Sequence, residues 1–224
     1  MARHPFVVIE GLDGTGKTTL RKALFRLWEG LYGITPLCLL TTNFLDATVA
    51  ADIVTGKYSP SSDNRDRYMA AVAADKVATL DNLIRPALPD RPVISDRWML
   101  SELAFFGVKH DLSPAETYQQ LAGTVTQPAD LTFVLDLAPE ESIRRAGTRR
   151  GDATRADWDV LDVQARVRQI YTEVLAIPRA YPLLGDIVLL DGAANPAETL
   201  HLAWRALIDR GLVPALPASK DISA

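Results

Sequence analysis

The chain has 224 residues, and its 48% hydrophobic and 23% charged residues are typical of a folded globular protein rather than a disordered, collagen-like or coiled-coil one. Its 28 acidic and 24 basic residues give a formal net charge of −4, which disfavours a strongly basic nucleic-acid-binding protein. Cys38 is the single cysteine, so no intramolecular disulfide is expected, and the composition predicts a cytoplasmic protein. No apolar run reaches the roughly 18 residues of a membrane-spanning helix.

Short apolar segments alternate with longer amphipathic segments, and this alternation predicts strands and helices in turn. The predicted strands cover residues 5–10, 37–41, 92–96, 131–137 and 186–190. The predicted helices cover residues 16–30, 44–55, 65–86, 98–107, 113–122, a segment opened by Pro139, 158–177 and 196–210. Strands separated by helices are typical of βαβ units. We therefore predict an α/β fold with a five-stranded parallel sheet and helices on both faces, as a single domain over residues 1–212 with a tail over residues 213–224.

The segment Gly11–Thr18 matches the pattern G-x-x-x-x-G-K-[ST] of a phosphate-binding loop, and it lies between a predicted strand and a predicted helix. Its glycines allow backbone N–H groups to turn toward phosphate oxygens, and the helix N-terminus adds a positive dipole end. Lys17 is expected to contact the β- and γ-phosphates, and the Thr18 hydroxyl to hold Mg²⁺. The pattern predicts a P-loop NTPase fold. The residues predicted to bind the nucleotide phosphates are Gly11, Leu12, Asp13, Gly14, Thr15, Gly16, Lys17, Thr18 and Thr19.

Two carboxylates and an arginine are predicted to face this loop. Asp13 lies inside the loop, where a carboxylate would repel a triphosphate unless it faces a metal ion or an acceptor hydroxyl. Asp96 and Arg97 end the third predicted strand, at the sheet edge where ligands of such folds bind. Asp96 is expected to hold Mg²⁺ through water, and Arg97 to bind a phosphate with two hydrogen bonds. The alternative is a structural role, as a turn aspartate and a strand-end ion pair.

An arginine-rich segment follows the fourth predicted strand. It contains five arginines within twelve residues, namely Arg144, Arg145, Arg149, Arg150 and Arg155. Such a cluster is costly unless an anion binds, because its like charges repel. Next to a phosphate-binding loop, the pattern favours a lid, over residues 144–157, that closes over the transferring phosphoryl group. A solvated basic helix end is the alternative interpretation.

Four segments taken together are more specific than the phosphate-binding loop alone. They are Phe6–Thr19 with its carboxylate Asp13, Ile94–Trp98 with Ser101 and Ala104, Leu135–Glu140 with Arg145 and Arg149, and Val167–Arg168 with Tyr171. In this order they resemble the thymidylate kinase family of P-loop nucleoside monophosphate kinases. The resemblance extends from about residue 5 to residue 190, which is nearly the whole predicted domain.

The resemblance implies ATP with Mg²⁺ as the donor and in-line transfer to an acceptor phosphate, with dTMP as the family's usual acceptor. The implied catalytic residues are Lys17, Asp13, Arg97, Arg149 and Arg150, and Arg145 joins the loop in binding ATP. Asp13 would meet the acceptor sugar hydroxyl or the metal, and Arg97 the acceptor phosphate. Because position 14 is glycine where one branch of the family has arginine, Arg149 and Arg150 would supply transition-state charge, worth ~10³–10⁵ in rate in related reactions. A homodimer built on helices such as 65–86 is also implied.

The departures from the family pattern all lie on the acceptor side. Family members show Arg-Glu-Pro-Gly after the second strand, where this chain has Thr41–Leu45. They stack thymine on a phenylalanine and recognise it with an arginine, at positions that are Val72 and Lys76 here, while Phe105 lacks a hydroxyl. A stacking ring is worth ~1–3 kcal/mol per base in analogous sites, so the pattern predicts a changed acceptor pocket. The predicted acceptor-binding residues are Asp13, Phe44, Val72, Lys76, Arg97, Trp98 and Phe105.

The leading interpretation is a thymidylate kinase-like enzyme that phosphorylates a nucleoside monophosphate or a related small molecule. The first alternative is a kinase of a free nucleoside or of another hydroxyl or phosphorylated metabolite, with Asp13 or Asp96 as general base. An alternative of another class is a nucleotide-binding regulatory NTPase. In every case the expected ligands are small molecules, and neither a nucleic acid nor a membrane is predicted as a partner.

Overall fold

The computed structural model describes residues 3–40, 51, 65–150, 158 and 160–214, without the side chains of residues 148–150. Five strands lie in these ranges, namely β1 (Phe6–Gly11), β2 (Leu37–Leu40), β3 (Val93–Asp96), β4 (Leu131–Asp136) and β5 (Asp186–Asp191). Each begins and ends within one residue of its predicted limits, so the five predicted strands are confirmed. The predicted helix over residues 44–55 lies outside the described ranges except for residue 51.

The described helices alternate with these strands. They are α1 (Lys17–Tyr32), α2 (Arg65–Thr79), α3 (Met99–His110), α4 (Pro114–Ala122), α5 (Pro139–Arg150), α6 (Leu161–Ala176) and α7 (Pro196–Asp209), with short turns at Arg85–Ala87, Pro178–Ala180 and Pro182–Leu184. The sequence predicts one uninterrupted helix over residues 65–86, whereas α2 is followed by a π-helical turn at Leu80–Ile84. Because Pro86 lacks an N–H and its ring would clash with the carbonyl four residues earlier in a regular α-helix, the wider turn accommodates it.

The five strands form one parallel sheet in the order β2-β3-β1-β4-β5. The central strand β1 is buried along its whole length. Successive side chains of a strand point to opposite faces, so Phe6 and Val8 belong to the apolar cluster on one face while Val7 and Ile9 belong to the other. Residues of α2, α3 and α6 complete the first cluster, and residues of α1 and α7 complete the second. The predicted helices on both faces are therefore confirmed.

The carboxyl ends of β1, β3 and β4 lie side by side at one edge of the sheet. In the strand register Ile9 is paired with Asp96, and Gly11 with Leu135. Ligands of doubly wound sheets bind beyond this edge. The topology therefore brings the loop after β1, the end of β3 and the segment after β4 together, although they are far apart in the sequence.

The chain stays packed up to the last described residue. Val213 is buried, and the Pro214 carbonyl accepts a hydrogen bond of 2.8 Å from the Tyr32 hydroxyl. Packing thus continues to residue 214, beyond the predicted domain limit at residue 212, and the rest of the predicted tail lies outside the described ranges. Among the helices of the described ranges, none has the length and apolar character needed to cross a membrane.

Candidate active site

The phosphate-binding loop connects β1 to α1, and its packing requires two of its glycines. Gly11 and Gly14 have φ angles of 145° and 81°, a region that other residues rarely adopt. A Cβ atom at Gly11 would lie 2.7 Å from the Leu135 carbonyl oxygen, and one at Gly14 would lie 2.7 Å from the Ser142 carbonyl oxygen. The loop is therefore held against β4 on one side and α5 on the other, where the sequence places it.

Lys17 begins α1 and is only 7% exposed. Its Nζ donates to the carbonyl oxygens of Gly11, at 3.0 Å, and Leu12, at 2.6 Å. The same nitrogen lies 3.8 Å from Asp13 Oδ1. Burial, followed by repulsion from Arg97, lowers the pKa of Lys17 to about 7. A phosphate in the loop would favour the charged ammonium, so the position suits the predicted contact with donor phosphates.

Arg97 faces the loop from the end of β3, and its Nη2 donates to Asp13 Oδ1 at 2.5 Å. Its φ of 74° is left-handed, and its backbone is held from two sides. The Arg97 N–H donates to the Ile9 carbonyl at 2.9 Å, and the Ser95 hydroxyl donates to the Arg97 carbonyl at 2.8 Å. Burial acts to lower the pKa of Arg97, but Tyr171 and Asp13, among other acidic neighbours, raise it above its ordinary value. The guanidinium therefore stays charged beside the loop.

Thr18 and Asp96, the predicted metal-binding residues, lie next to each other. The Thr18 hydroxyl donates to Asp96 Oδ2 at 3.3 Å, and Arg21 Nε lies 3.9 Å from the same oxygen. A hydroxyl and a carboxylate are oxygen ligands of the kind that Mg²⁺ prefers, and Mg²⁺ usually takes its other ligands from phosphates and water. Within the described ranges no group of three or more His, Cys, Asp or Glu side chains could hold a metal ion. The residues present therefore fit an ion shared with substrate phosphates.

A cavity of about 330 Å³ lies beside the loop, within the size range of small-molecule sites. Arg145, predicted to bind ATP, lies in its wall, where Nη1 donates to the Gly192 carbonyl at 2.6 Å. The connection between β5 and α7 also lines the cavity, and the sequence did not predict this. Because that connection follows the carboxyl end of a strand, its position in the sequence could have predicted that it lines the site. The lining residues are Gly14, Thr15, Gly16, Thr19, Leu20, Leu135, Arg145, Gly192, Ala193, Ala194, Asn195, Pro196 and Thr199.

The predicted lid begins inside α5. Arg144 Nε and Arg145 Nε each lie 2.6 Å from a Glu141 carboxylate oxygen, so part of the arginine charge is neutralised within the helix. In the same helix, the Ser142 hydroxyl donates to the Asp13 carbonyl at 2.5 Å and ties α5 to the phosphate-binding loop. The side chains of Arg149 and Arg150, and all of Arg155, lie outside the described part of the chain. Their roles stay predictions.

One of the predicted acceptor-binding residues, Lys76, belongs to a buried ion pair. Lys76, in α2, is 3% exposed, and its Nζ lies 2.9 Å from Glu102 Oε1 in α3. The same ammonium lies 4.3 Å from the centre of the Trp98 ring. Val72, one helical turn before Lys76, is buried in the same apolar cluster as Trp98. The structure thus brings together Val72, Lys76 and Trp98, and it adds Glu102 as the partner of the lysine.

Phe105 is the centre of an aromatic stack next to this pair. Its ring stacks on Tyr68 with 5.2 Å between centroids, and on Trp158 with 5.8 Å. Tyr68 and Trp158 come from different parts of the chain, and neither was predicted to belong to the site. The remaining predicted acceptor residue, Phe44, lies outside the described residues.

A buried network around Glu10 links the acceptor side to the loop. Glu10 Oε1 accepts from the N–H groups of Trp98, at 2.8 Å, and Ser101, at 3.2 Å. Glu10 Oε2 accepts from the hydroxyls of Ser101, at 2.5 Å, and Tyr171, at 3.4 Å. Ser101 and Tyr171 lie in the segments on which the family resemblance rests. Their position there could have indicated that they belong to the site. Glu10 is the last residue of the predicted strand over residues 5–10, and nothing in the sequence indicated a role for it.

The site has two sides, because Arg97 faces from β3 the same loop whose lysine is suited to a donor phosphate. A phosphotransferase needs such an arrangement, since it binds a donor and an acceptor at once, and the chain is an ATP-dependent P-loop kinase. The sequence model described as thymidylate kinase matches residues 9–181. The chain belongs to the thymidylate kinase family.

Curated relatives support the same assignment over nearly their whole length. A thymidylate kinase of Blochmanniella pennsylvanica is 33% identical, over 89% of this chain and 95% of its own. A probable thymidylate kinase of Methanosarcina acetivorans is 27% identical, over 92% of this chain and 97% of its own. A thymidylate kinase of Shewanella sp. strain MR-4 is 28% identical, over 88% of this chain and 92% of its own. These similarities do not favour the alternatives of a free-nucleoside kinase or a regulatory NTPase.

Proposed function

We propose that the protein transfers the γ-phosphoryl group of ATP to dTMP and forms dTDP and ADP. An oxygen of the acceptor phosphate attacks the γ-phosphorus, and the bond from that phosphorus to the β–γ bridging oxygen breaks. The acceptor oxygen is already anionic, so the step needs no general base. The observation that carries this proposal is the 2.5 Å contact between Arg97 and Asp13, because it places a phosphate-binding guanidinium directly against the donor loop.

On the donor side, Lys17 would contact the β- and γ-phosphates, and Arg145 would contact ATP from the cavity wall. Thr18 and Asp96 would hold Mg²⁺, which neutralises charge on the phosphate oxygens in related reactions. Arg149 and Arg150 would supply further positive charge in the transition state. Closure of these arginines over the site would also exclude water, which would otherwise compete with the acceptor for the activated γ-phosphoryl group.

On the acceptor side, Arg97 would bind the phosphate of dTMP, and Asp13 would meet the sugar hydroxyl or the metal. Lys76 offers donors to a thymine carbonyl, and its contacts with Glu102 and Trp98 orient it. Val72 provides no ring for stacking, but the neighbouring stack of Tyr68, Phe105 and Trp158 provides aromatic surface. The changed pocket is therefore compatible with a thymine base.

The proposal includes three wider expectations. The active unit would be the domain over residues 1–212, extended by the packed residues up to 214. It would form a homodimer through α2 and its neighbours, which light scattering at several protein concentrations would test. A cytoplasmic location would supply both ATP and the reducing conditions that suit the single cysteine, Cys38.

A coupled ADP-release assay with ATP and Mg²⁺ tests the proposed function. The acceptor panel contains dTMP, dUMP, the other deoxynucleoside monophosphates, thymidine and phosphorylated sugars, with Lys17→Ala as the inactive control. We expect dTMP to give the highest kcat/KM. Preference for another acceptor would refute dTMP as the substrate, and ADP release that is independent of any acceptor would favour the regulatory NTPase.

A further inference from the structure

Glu10 is a fully buried carboxylate at the centre of the site, and none of the roles described above uses it. It is 0% exposed and stands at the carboxyl end of β1, directly before the phosphate-binding loop. A buried carboxylate is costly unless hydrogen bonds and opposite charges compensate it. Both oxygens accept hydrogen bonds, and the electrostatic surroundings of Lys17 and Arg97 include Glu10. The charge of Glu10 is therefore part of the surroundings of both groups, although it is not the main influence on either.

The first role of Glu10 is to cap α3 from a neighbouring strand. Trp98 is the N-cap residue of α3, and an indole ring has no oxygen that could accept the free N–H groups of the first turn. Glu10 Oε1 accepts from the N–H groups of Trp98 and Ser101 instead. Its negative charge also matches the positive dipole end of the helix. The start of α3 is thus fixed to β1 by one side chain.

The second role concerns Arg97, which directly precedes this cap. The Arg97 Nη1 donates to the Ser101 hydroxyl at 3.1 Å, and that hydroxyl donates in turn to Glu10 Oε2 at 2.5 Å. Arg97 also has a left-handed backbone, with a φ of 74°. Such a conformation persists only where the surroundings determine it from several sides. Loss of the Glu10 contacts would leave both the side chain and the backbone of Arg97 with more freedom.

We propose that Glu10 is a positioning residue that acts through Ser101 and the start of α3 to hold the Arg97 guanidinium against the phosphate-binding loop. This inference rests on the proposed function where it assigns the acceptor phosphate to Arg97. Glu10 itself touches neither substrate in this scheme. Its contribution is the geometry of the acceptor phosphate relative to the donor.

The first experiment is the variant Glu10→Gln, which keeps the size of the side chain but replaces one acceptor oxygen by a donor amide. The expected result is a loss in kcat/KM for the acceptor on the order of 100-fold, the size that ~1 Å of misplacement can cause. The KM for ATP should stay unchanged, because the donor loop keeps its contacts with β4 and α5. The matched control is Thr132→Val, which removes another buried hydrogen bond, from Thr132 Oγ1 to the Leu184 carbonyl. It should lower the melting temperature and leave both KM values unchanged.

A double-mutant cycle separates positioning from a general structural role. In an Arg97→Ala background, Glu10→Gln should cause little further loss, because the group that it positions is already absent. Equal losses in both backgrounds, or an equal rise in the KM for ATP, would overturn the proposal. Should Glu10→Gln fail to fold, Ser101→Ala tests the same connection through the hydroxyl alone, with the same non-additivity expected.

The Arg97 Nη1–H resonance gives a readout that needs no substrate, because Nη1 donates to the Ser101 hydroxyl. In ¹⁵N-edited spectra the wild-type signal should be protected from exchange with water, and Glu10→Gln or Ser101→Ala should remove this protection. A signal that is identical in all three proteins would overturn the proposal, whatever the acceptor is. A wild-type protein that does not phosphorylate dTMP would instead contradict the proposed function and leave this test intact.

Discussion

The ion pair between Lys76 and Glu102 allows a prediction whose magnitude follows from the structure. The Nζ and Oε1 atoms are 2.9 Å apart, and the side chains are 3% and 17% exposed. Removing one partner of a buried pair costs about 3–5 kcal/mol, because the other charge is left without compensation. Glu102 retains some contact with water, so we expect Lys76→Met to lower the free energy of unfolding by about 3 kcal/mol, at the lower end of this range.

Urea denaturation of the single variants and of the double variant tests this estimate. Glu102→Gln leaves the more deeply buried Lys76 ammonium with a neutral partner and should cost at least as much as Lys76→Met. The double variant Lys76→Met with Glu102→Gln removes both charges, so it should be more stable than the sum of the single losses predicts. Strictly additive losses would refute the reasoning, since they would show that the two charges do not depend on each other.

The single variant Lys76→Met also tests the acceptor pocket. If Lys76 donates to a carbonyl of the base, its loss removes a charge-assisted hydrogen bond of about 1.5 kcal/mol, and KM for dTMP should rise by roughly tenfold. Lys76→Arg is the matched control, because it keeps the charge and the donors. A KM for dTMP that is unchanged in Lys76→Met would show that Lys76 stabilises the fold without recognising the acceptor.

Three further outcomes are expected. Gly14→Ala should lower the free energy of unfolding by at least about 1–2 kcal/mol, measured in urea, because its φ is 81° and its Cβ would meet the Ser142 carbonyl at 2.7 Å. The pKa of Lys17 is lowered to about 7 from 10.5 in the folded protein without nucleotide. Between pH 7 and pH 10.5 the folded protein therefore binds fewer protons than the unfolded chain. The contribution of Lys17 to the free energy of unfolding should accordingly rise with pH across this window. Calorimetry at pH 8 should detect proton uptake on ATP binding. Asp96→Asn should raise the Mg²⁺ concentration needed for half-maximal turnover, and EDTA should abolish turnover of the wild type.

The donor side could be predicted because its determinants are local in the sequence. The segment Gly11–Thr18 contains the loop, its lysine and its threonine within one short pattern, and the apolar strand before it fixes where the loop lies. Asp96 and Arg97 were also predictable, since their position at the end of a strand in a parallel sheet determines the edge at which they lie. The structure places Asp96 at 3.3 Å from Thr18, as the topology requires.

The acceptor side was less predictable because its determinants are contacts between distant segments. The sequence identified Lys76 as a departure from the family pattern, but it could not show that Glu102 is its partner. Trp158 follows the lid segment and gave no sign that it stacks on Phe105. Glu10 is the clearest case, since its partners Trp98 and Ser101 are about ninety residues away and only the pairing of β1 with β3 brings them close.

The charged groups of the site have protein partners that substrates can replace. Lys17 donates to two carbonyl oxygens, Arg97 contacts Asp13, and Arg145 contacts Glu141. Binding of a phosphate would therefore give these protein cations a new partner without taking them out of water, which reduces the protein's share of the desolvation cost of binding. The exchange also has a direction, because a phosphate that takes Arg97 from Asp13 leaves that carboxylate available to the acceptor sugar or to Mg²⁺. The Asp13–Arg97 contact would thus couple acceptor binding to the arrangement of the donor loop, so Asp13→Asn should weaken the effect of bound acceptor on ATP affinity in titration calorimetry.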